Sequence, residues 1–486
     1  MSTTPPAGKR ADRGLTRRDF LVAGTAAGAG VLLLGAGAQE GGAAKGRLEV
    51  VGHSPLLSRG MNSALAIHGD YIYVGSRTDG THRNAGVLVV DKSDPSNLEV
   101  VNQIGPPEEG NVGETSRELR VWPEKDLLMV LNFGCSELLH DCKGSATVDP
   151  TVRFFDISGE NARDPELVST YEPSRTPHEF YLWVDPEREG RALLYQSTPS
   201  NDEDNLLVAD ISGAREGEFE EVVSWTIDDI PEDGDDNRLH SLSVSPDGRE
   251  GYLAYLGAGF FNIDTSELAE GVENPEIRQV TPTKNRSDWG DPGAHTAVPL
   301  PGRDYALATD EVYGKFFGAL PEHGCPWGWT RIIDNADPTN PEVASQYKVH
   351  PFNDPEYCDE VPPDRNNVSS FSSHNPTLTK NLAFITWHSA GLQTISLNNP
   401  EKPKQIAEFS PEPLDRVDTE DPALSSGRDK VVMWSYPIIS DGLIYVTDVR
   451  NGLYVLEYKG PFAGEVKNID FLEGNSNLGD AFRVGR

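Results

Sequence analysis

VLVVDKSDPSNLEVV at residues 87–101 and TRIIDNADPTNPEVA at 330–344 are the same phrase: an apolar strand, an Asp, a polar step, a Pro and a second strand. Five further copies lie between and beyond them. They are VRFFDISGENARDPELV (152–168), LLVADIS (206–212), FFNIDTS (260–266), LQTISLNNPEKPKQIA (392–407) and LYVLEYKGP (453–461). Ahead of each copy stands an alternating apolar segment, a turn and a second apolar run. Examples are SALAIHGDYIYVGS (63–76), HSLSVSPDGREGYLAYL (240–256) and WSYPIISDGLIYVTD (434–448). Period-two alternation reads as strand, and Gly-Asp, Asp-Gly and Lys-Asn between the runs read as hairpin turns. Each unit therefore supplies about four strands. A sheet of that size cannot bury both faces alone, so seven such units stack radially and close. The expectation is an all-β, seven-bladed propeller of four-stranded antiparallel blades over residues 62–460. A linker and opening strand at 39–61 and a C-terminal tail at 461–486 flank it.

The apolar-apolar-Asp-x-Ser/Asp-x-Pro phrase resembles the LVIVD-repeat family of exported β-propellers over most of residues 63–458. The sixth copy drifts, with Asn398 read in place of the Asp, and the seventh has Glu457 there. The resemblance implies a fold and an exported location more than a chemistry.

The N-terminus agrees with export. Arg17 and Arg18 precede a Gly/Ala-rich apolar segment, Phe20 to Ala38, that ends in Ala36-Gly37-Ala38. A basic region, an apolar region and a small-residue exit make a signal peptide over 1–38, and the paired arginines mark the twin-arginine route. Retention as a membrane anchor is the alternative, because Gly and Ala make the apolar stretch marginal for a span. After cleavage no membrane association is expected, and the protein is secreted or held in the cell envelope. Twin-arginine substrates cross the membrane folded, which permits a metal to be inserted first.

The chain carries 77 acidic against 42 basic residues, a net charge of −35. The leader holds five basic and two acidic residues, so its removal takes the charge to −38. A surface this acidic excludes nucleic acid as a partner. Four cysteines in an exported chain predict disulfides, and local pairing Cys135–Cys142 and Cys325–Cys358 is favoured among three connectivities. The Pro-rich stretch from Pro321 to Pro363, with Cys325, Trp327, Trp329 and Cys358, is expected to be an insertion that caps one face.

Aligning the opening strands at their first residue gives Asn62, Arg117, His178, His240, His295, His374 and Trp434. In a propeller this position lies nearest the axis. Four of the chain's 11 histidines fall there in consecutive blades. Neutral imidazoles converging on one point suit Fe, Cu or Zn. The arrangement is similar in architecture alone to carotenoid-cleaving oxygenases, which hold iron on axial histidines, and to selenium-binding propellers. The competing reading has each imidazole bond the neighbouring blade and seal a wet channel. Arg117 and Asn62 complete the ring and are candidates to orient an anionic substrate. His388 is a candidate supporting group, and Trp434 a candidate aromatic wall. Acidic loops at 201–205 and 228–237 lack the ordered spacing of a calcium loop. No GxSxG, P-loop, HExxH or GxGxxG element is present, which removes most hydrolase, kinase and dinucleotide chemistries. Two functions follow as expectations. One is a metal-dependent oxidoreductase acting on a small molecule through His178, His240, His295 and His374. The other is a non-catalytic propeller that binds an envelope protein or polysaccharide.

Overall fold

The computed structural model describes residues 45–484 apart from 106–112, 136–139, 141, 143–147, 201–202, 230–236, 291–292, 314–327, 350–369, 428, 475 and 477. Arg17, Arg18, Cys325, Cys358 and Trp327 lie outside the described residues. Seven antiparallel sheets form the fold, six of them with four strands in chain order from the axis outward and the seventh built from both ends of the chain. Blade 1 comprises Asn62–His68, Tyr71–Ser76, Val87–Asp91 and Glu99–Ile104. Blades 2 to 6 repeat this order, opening on Glu118–Trp122, Glu179–Val184, Ser241–Val244, Thr296–Pro299 and Pro376–Leu378. Blade 7 has Ile438–Ser440, Leu443–Asp448 and Gly452–Lys459 from the end of the chain. Its outer strand is Arg47–Ser54, paired antiparallel from Arg47↔Lys459 to Ser54↔Leu453, so the two ends of the chain close the ring.

The repeated Asp has a local reason. It ends the third strand of its blade, and its carboxylate accepts the backbone N–H two residues on. Asp91 takes Ser93 at 2.9 Å, Asp156 takes Ser158 at 3.1 Å and Asp210 takes Ser212 at 2.8 Å. Asp264 takes Ser266 at 2.9 Å, and Asp334 takes Ala336 at 3.0 Å. This Asx turn starts the connection to the fourth strand. The sixth copy corrects the sequence reading. The pairing Leu382↔Ser396 matches Tyr71↔Asp91, so Ser396, not Asn398, occupies the Asp position, and its hydroxyl accepts from Asn398 N at 3.5 Å. A second regularity was not read from sequence. In blades 1, 2, 3, 5 and 6 the third and fourth strands slip register at a bulge, as at Val89/Val90 and Ile332/Ile333. Bulges raise the local twist, as radial packing requires.

At the blade 7 hairpin, Asp441 and Gly442 both have positive φ, 51° and 74°, the mirror-image turn that matches strand twist. Gly248 (φ +75°) has a second constraint, since a Cβ there would lie 2.4 Å from the Trp183 ring. Blades interlock through such contacts: Tyr181 donates to Val244 O at 2.8 Å and Trp183 to Pro246 O at 3.2 Å. Inner and middle strands are largely buried, while outer strands carry charge, as in Glu218, Glu220 and Glu221 of Glu218–Trp225. Charge on an outer strand blocks edge-to-edge pairing.

Two features depart from expectation. The stretch Pro321–Pro363 is not one insertion. Thr330–Asp334 and Glu342–Tyr347 are the third and fourth strands of blade 5, because TRIID alternates and pairs like its counterparts. The C-terminal segment also adds to the propeller. Its strand Phe471–Glu473 pairs with the axial edge of Ile438–Ser440 and so lies within the channel. Among the described residues no helix is long and apolar enough to cross a membrane.

Candidate functional site

Each ring histidine is set by the same backbone bond. The N–H groups of His178, His240, His295 and His374 donate to Ser197, Ala254, Thr309 and Thr386 carbonyls of their own blades, at 2.7–2.9 Å. Arg117 and Trp434 follow the same pattern, donating to Leu131 and Thr447. Equivalent bonds place equivalent residues at one level of the channel. The imidazoles form an arc, with ring centres 4.4 Å apart for His178–His240, 3.9 Å for His240–His295 and 4.5 Å for His295–His374. His388 extends it, 5.2 Å from His374. Trp434 closes the end, 3.9 Å from His374 and stacked on His388 at 5.3 Å.

Glu311 stands against this arc. Its carboxylate lies 3.3 Å from His295 Nε2, 3.2 Å from His374 Nε2 and 3.8 Å from His388 Nε2. His295, Glu311 and His374 bring three ligand atoms within 4.8 Å of one another, and so do Glu179, His240 and His295. His178 belongs to neither group. The far nitrogens are held: His374 Nδ1 is 2.7 Å from the Trp434 carbonyl, His295 Nδ1 2.8 Å from Thr296 Oγ1 and His388 Nδ1 2.9 Å from Ser370 Oγ. A carbonyl on Nδ1 fixes the tautomer that leaves Nε2 as a lone-pair donor. His295 Nε2, His388 Nε2, His240 Nδ1, Glu311 Oε1 and Glu179 Oε2 are buried without a hydrogen-bond partner. So many unsatisfied polar atoms in one place is unusual for a folded core.

No protein-family model and no curated protein matches the chain. Among solved structures it is similar to Sqt1 from Chaetomium thermophilum, at 11% identity over 84% of this chain and 86% of that one, with a TM-score of 0.46. A second crystal structure shows that protein bound to the N-terminus of ribosomal protein L10. The β-propeller domain of Cps50 (Swd1) from Myceliophteria thermophila is also similar, at 8% identity over 82% and 96% of the chains, with a TM-score of 0.46.

The electrostatics follow from burial. Burial, with Arg117 adding to it, pushes His178 down to about 3, and burial pushes His374 down to about 4. His240 and His388 are also held well below the usual range, chiefly by burial. His295 is the exception: burial opposes its charge, but Glu311 outweighs it and the group is raised. Glu311 is held well below the carboxylate range, because His295 and His374 outweigh the cost of burying it. Glu179 is raised by burial and by neighbouring Glu118. The cluster is thus one fixed anion among mostly neutral imidazoles, a donor set of nitrogen and oxygen atoms.

Two sequence candidates fall differently. Asn62 is spent on structure, accepting from Arg59 Nε at 2.8 Å and donating to Val449 O at 3.2 Å. Arg117 is buried beside the arc, over the Phe133 ring at 5.3 Å. Sequence reasoning missed Glu311, Arg77, His140, Asp421 and Tyr313. Arg77 is fully buried, 3.1 Å from Asp421 and 3.9 Å above the Trp434 ring. Asp421 also takes His140 Nδ1 at 3.2 Å, and a disulfide joining Cys135 to Cys142 brackets His140. The available signal for Glu311 was position: it follows the Thr309 that pairs with His295, at the end of a strand.

Proposed function

We propose that this protein is an exported propeller of the LVIVD-repeat kind that holds a transition-metal ion in its channel and acts as an oxidoreductase on a small molecule. The constellation of His295, Glu311 and His374 carries the reading. Two imidazoles and one carboxylate are a donor set used for Fe(II), and they also suit Cu and Zn. The fit is physical. Ligand atoms that share an ion at ~2.1 Å lie about 3.0–3.5 Å apart, as the carboxylate and imidazole atoms do here. The unpartnered Nε2 and Oε1 atoms are the ones an ion would take up. His388 stands one step further from Glu311, and His240 with Glu179 offers a neighbouring set that shares His295. A bound redox metal would supply electron transfer or oxygen activation. The chain's own part is to hold the imidazoles in place, exclude water and fix ligand orientation through Trp434 O, Thr296 and Ser370.

Elemental analysis of the protein purified after cytoplasmic folding tests this, beside His374→Ala and Glu311→Gln. Near-stoichiometric iron, copper or zinc in the wild type, lost in both variants, is expected. No metal in the wild type overturns the proposal and leaves a non-catalytic envelope-binding propeller as the account.

A further inference from the structure

Arg77 and Arg117 are buried beside the histidine arc with donors to spare. Arg77 spends Nε on Asp421 at 3.1 Å and Nη2 on His140 Nε2 at 3.4 Å, while its Nη1 has no hydrogen-bond partner. Among the described residues Arg117 has no carboxylate within ion-pair distance, and its Nε has no hydrogen-bond partner. The adjacent Glu118 is turned to Arg120, 3.4 Å away. The two guanidiniums are near enough for each charge to bear on the other, and both feel Tyr313 and Glu311. The Arg117 charge also bears on His178, and Arg77 lies on the Trp434 ring that packs on His374. Burying two guanidiniums is costly unless each charge is matched. Asp421 pairs with one; among the described residues the other has no ion-pair partner, and Glu118 and Glu311 bear on it from beyond that distance.

We propose that Arg77 and Arg117 form the receptor for the carboxylate of a small organic acid, bound beside the histidine–Glu311 cluster. Two free N–H groups on separate guanidiniums suit the two oxygens of a carboxylate, and with Asp421, Glu118 and Glu311 already bearing on the pair a single added negative charge is enough. A dianion such as phosphate would overfill the charge. This names a substrate class for the site proposed above and rests on that reading only for the chemistry next door.

Calorimetric titration of benzoate into the purified full chain, with metal measured in the same sample, tests it. One benzoate site per chain is expected, with no binding of the uncharged isostere benzamide. Arg117→Gln should weaken benzoate by about tenfold or more while retaining the wild-type melting temperature. If that variant does not fold, Arg117→Lys, which keeps the charge and loses the Nε donor, should show a smaller loss. Absence of benzoate binding to folded wild type, or binding unchanged by these substitutions, overturns the receptor and leaves ordered water on the free donors. Inorganic phosphate binding more tightly than benzoate overturns the monoanion assignment. Benzoate binding through Arg117 in a metal-free sample upholds the receptor and overturns the metal reading; metal without benzoate binding does the reverse.

Discussion

The hydroxyl oxygen of Ser476 lies 3.1 Å from Arg120 Nε and 3.1 Å from the backbone nitrogen of Leu182, so the end of the chain bonds blades 2 and 3 from inside the channel. Both donors are buried. Ser476→Ala leaves them without that acceptor and should destabilise the fold by about 1–3 kcal/mol. Urea denaturation measures this, and a change near zero would show that water replaces the hydroxyl.

Among the described residues Glu311 is the carboxylate that faces both His295 and His374, and Glu311→Gln removes its charge with little change of shape. Wild-type protein should lose melting temperature on treatment with a chelator. At a metal concentration 100-fold above its dissociation constant the ion contributes about 2.7 kcal/mol. The variant should melt at the same temperature with and without chelator.

The disulfide between Cys135 and Cys142 closes a short loop around His140. Replacing both cysteines by Ser should cost about 2–3 kcal/mol by loop entropy. His140 and Asp421 are 3.2 Å apart across 281 positions of sequence, so the loop also ties blade 2 to the segment before blade 7. Equilibrium unfolding of the double variant checks the magnitude.

Acid stability should depend on Asp156. Partial burial raises this carboxyl, but Arg215 Nη2 at 2.9 Å, Ser158 and Asn161 together bring it down to about 2. An unfolded Asp titrates near ~3.9. The folded state binds the proton less tightly, so the contribution is fully present above about pH 4 and fades as pH falls toward about 2. Melting temperatures of wild type and Asp156→Asn should differ at pH 6 and converge near pH 2. A constant difference across that range would falsify the assignment.

The fold was legible because its signals are local and periodic. Each Asp closes a third strand through a bond to the residue two ahead, which leaves the same letters in every blade. Serine can make the same bond, and that is why the sixth copy misled by two residues. The histidines were legible for a similar reason, since one backbone bond per blade fixes their level. Glu311, Arg77 and Asp421 come from strand ends and connections of differing length, so no period marks them. Phe471–Glu473 was read as tail because three residues inside a channel carry no alternation.

The zipper between Arg47–Ser54 and Gly452–Lys459 also sets a timetable. His53 meets the Asn451 carbonyl across 398 positions. At about 5–20 residues per second, a ribosome makes the first strand on the order of 20 to 80 s before its partner emerges. Through that interval six blades can stack, yet the seam between the last and the first stays open and one strand edge stands unpaired. Whatever grips Arg47–Ser54 during synthesis therefore holds the whole ring open, and its release is the moment at which the channel acquires walls on every side.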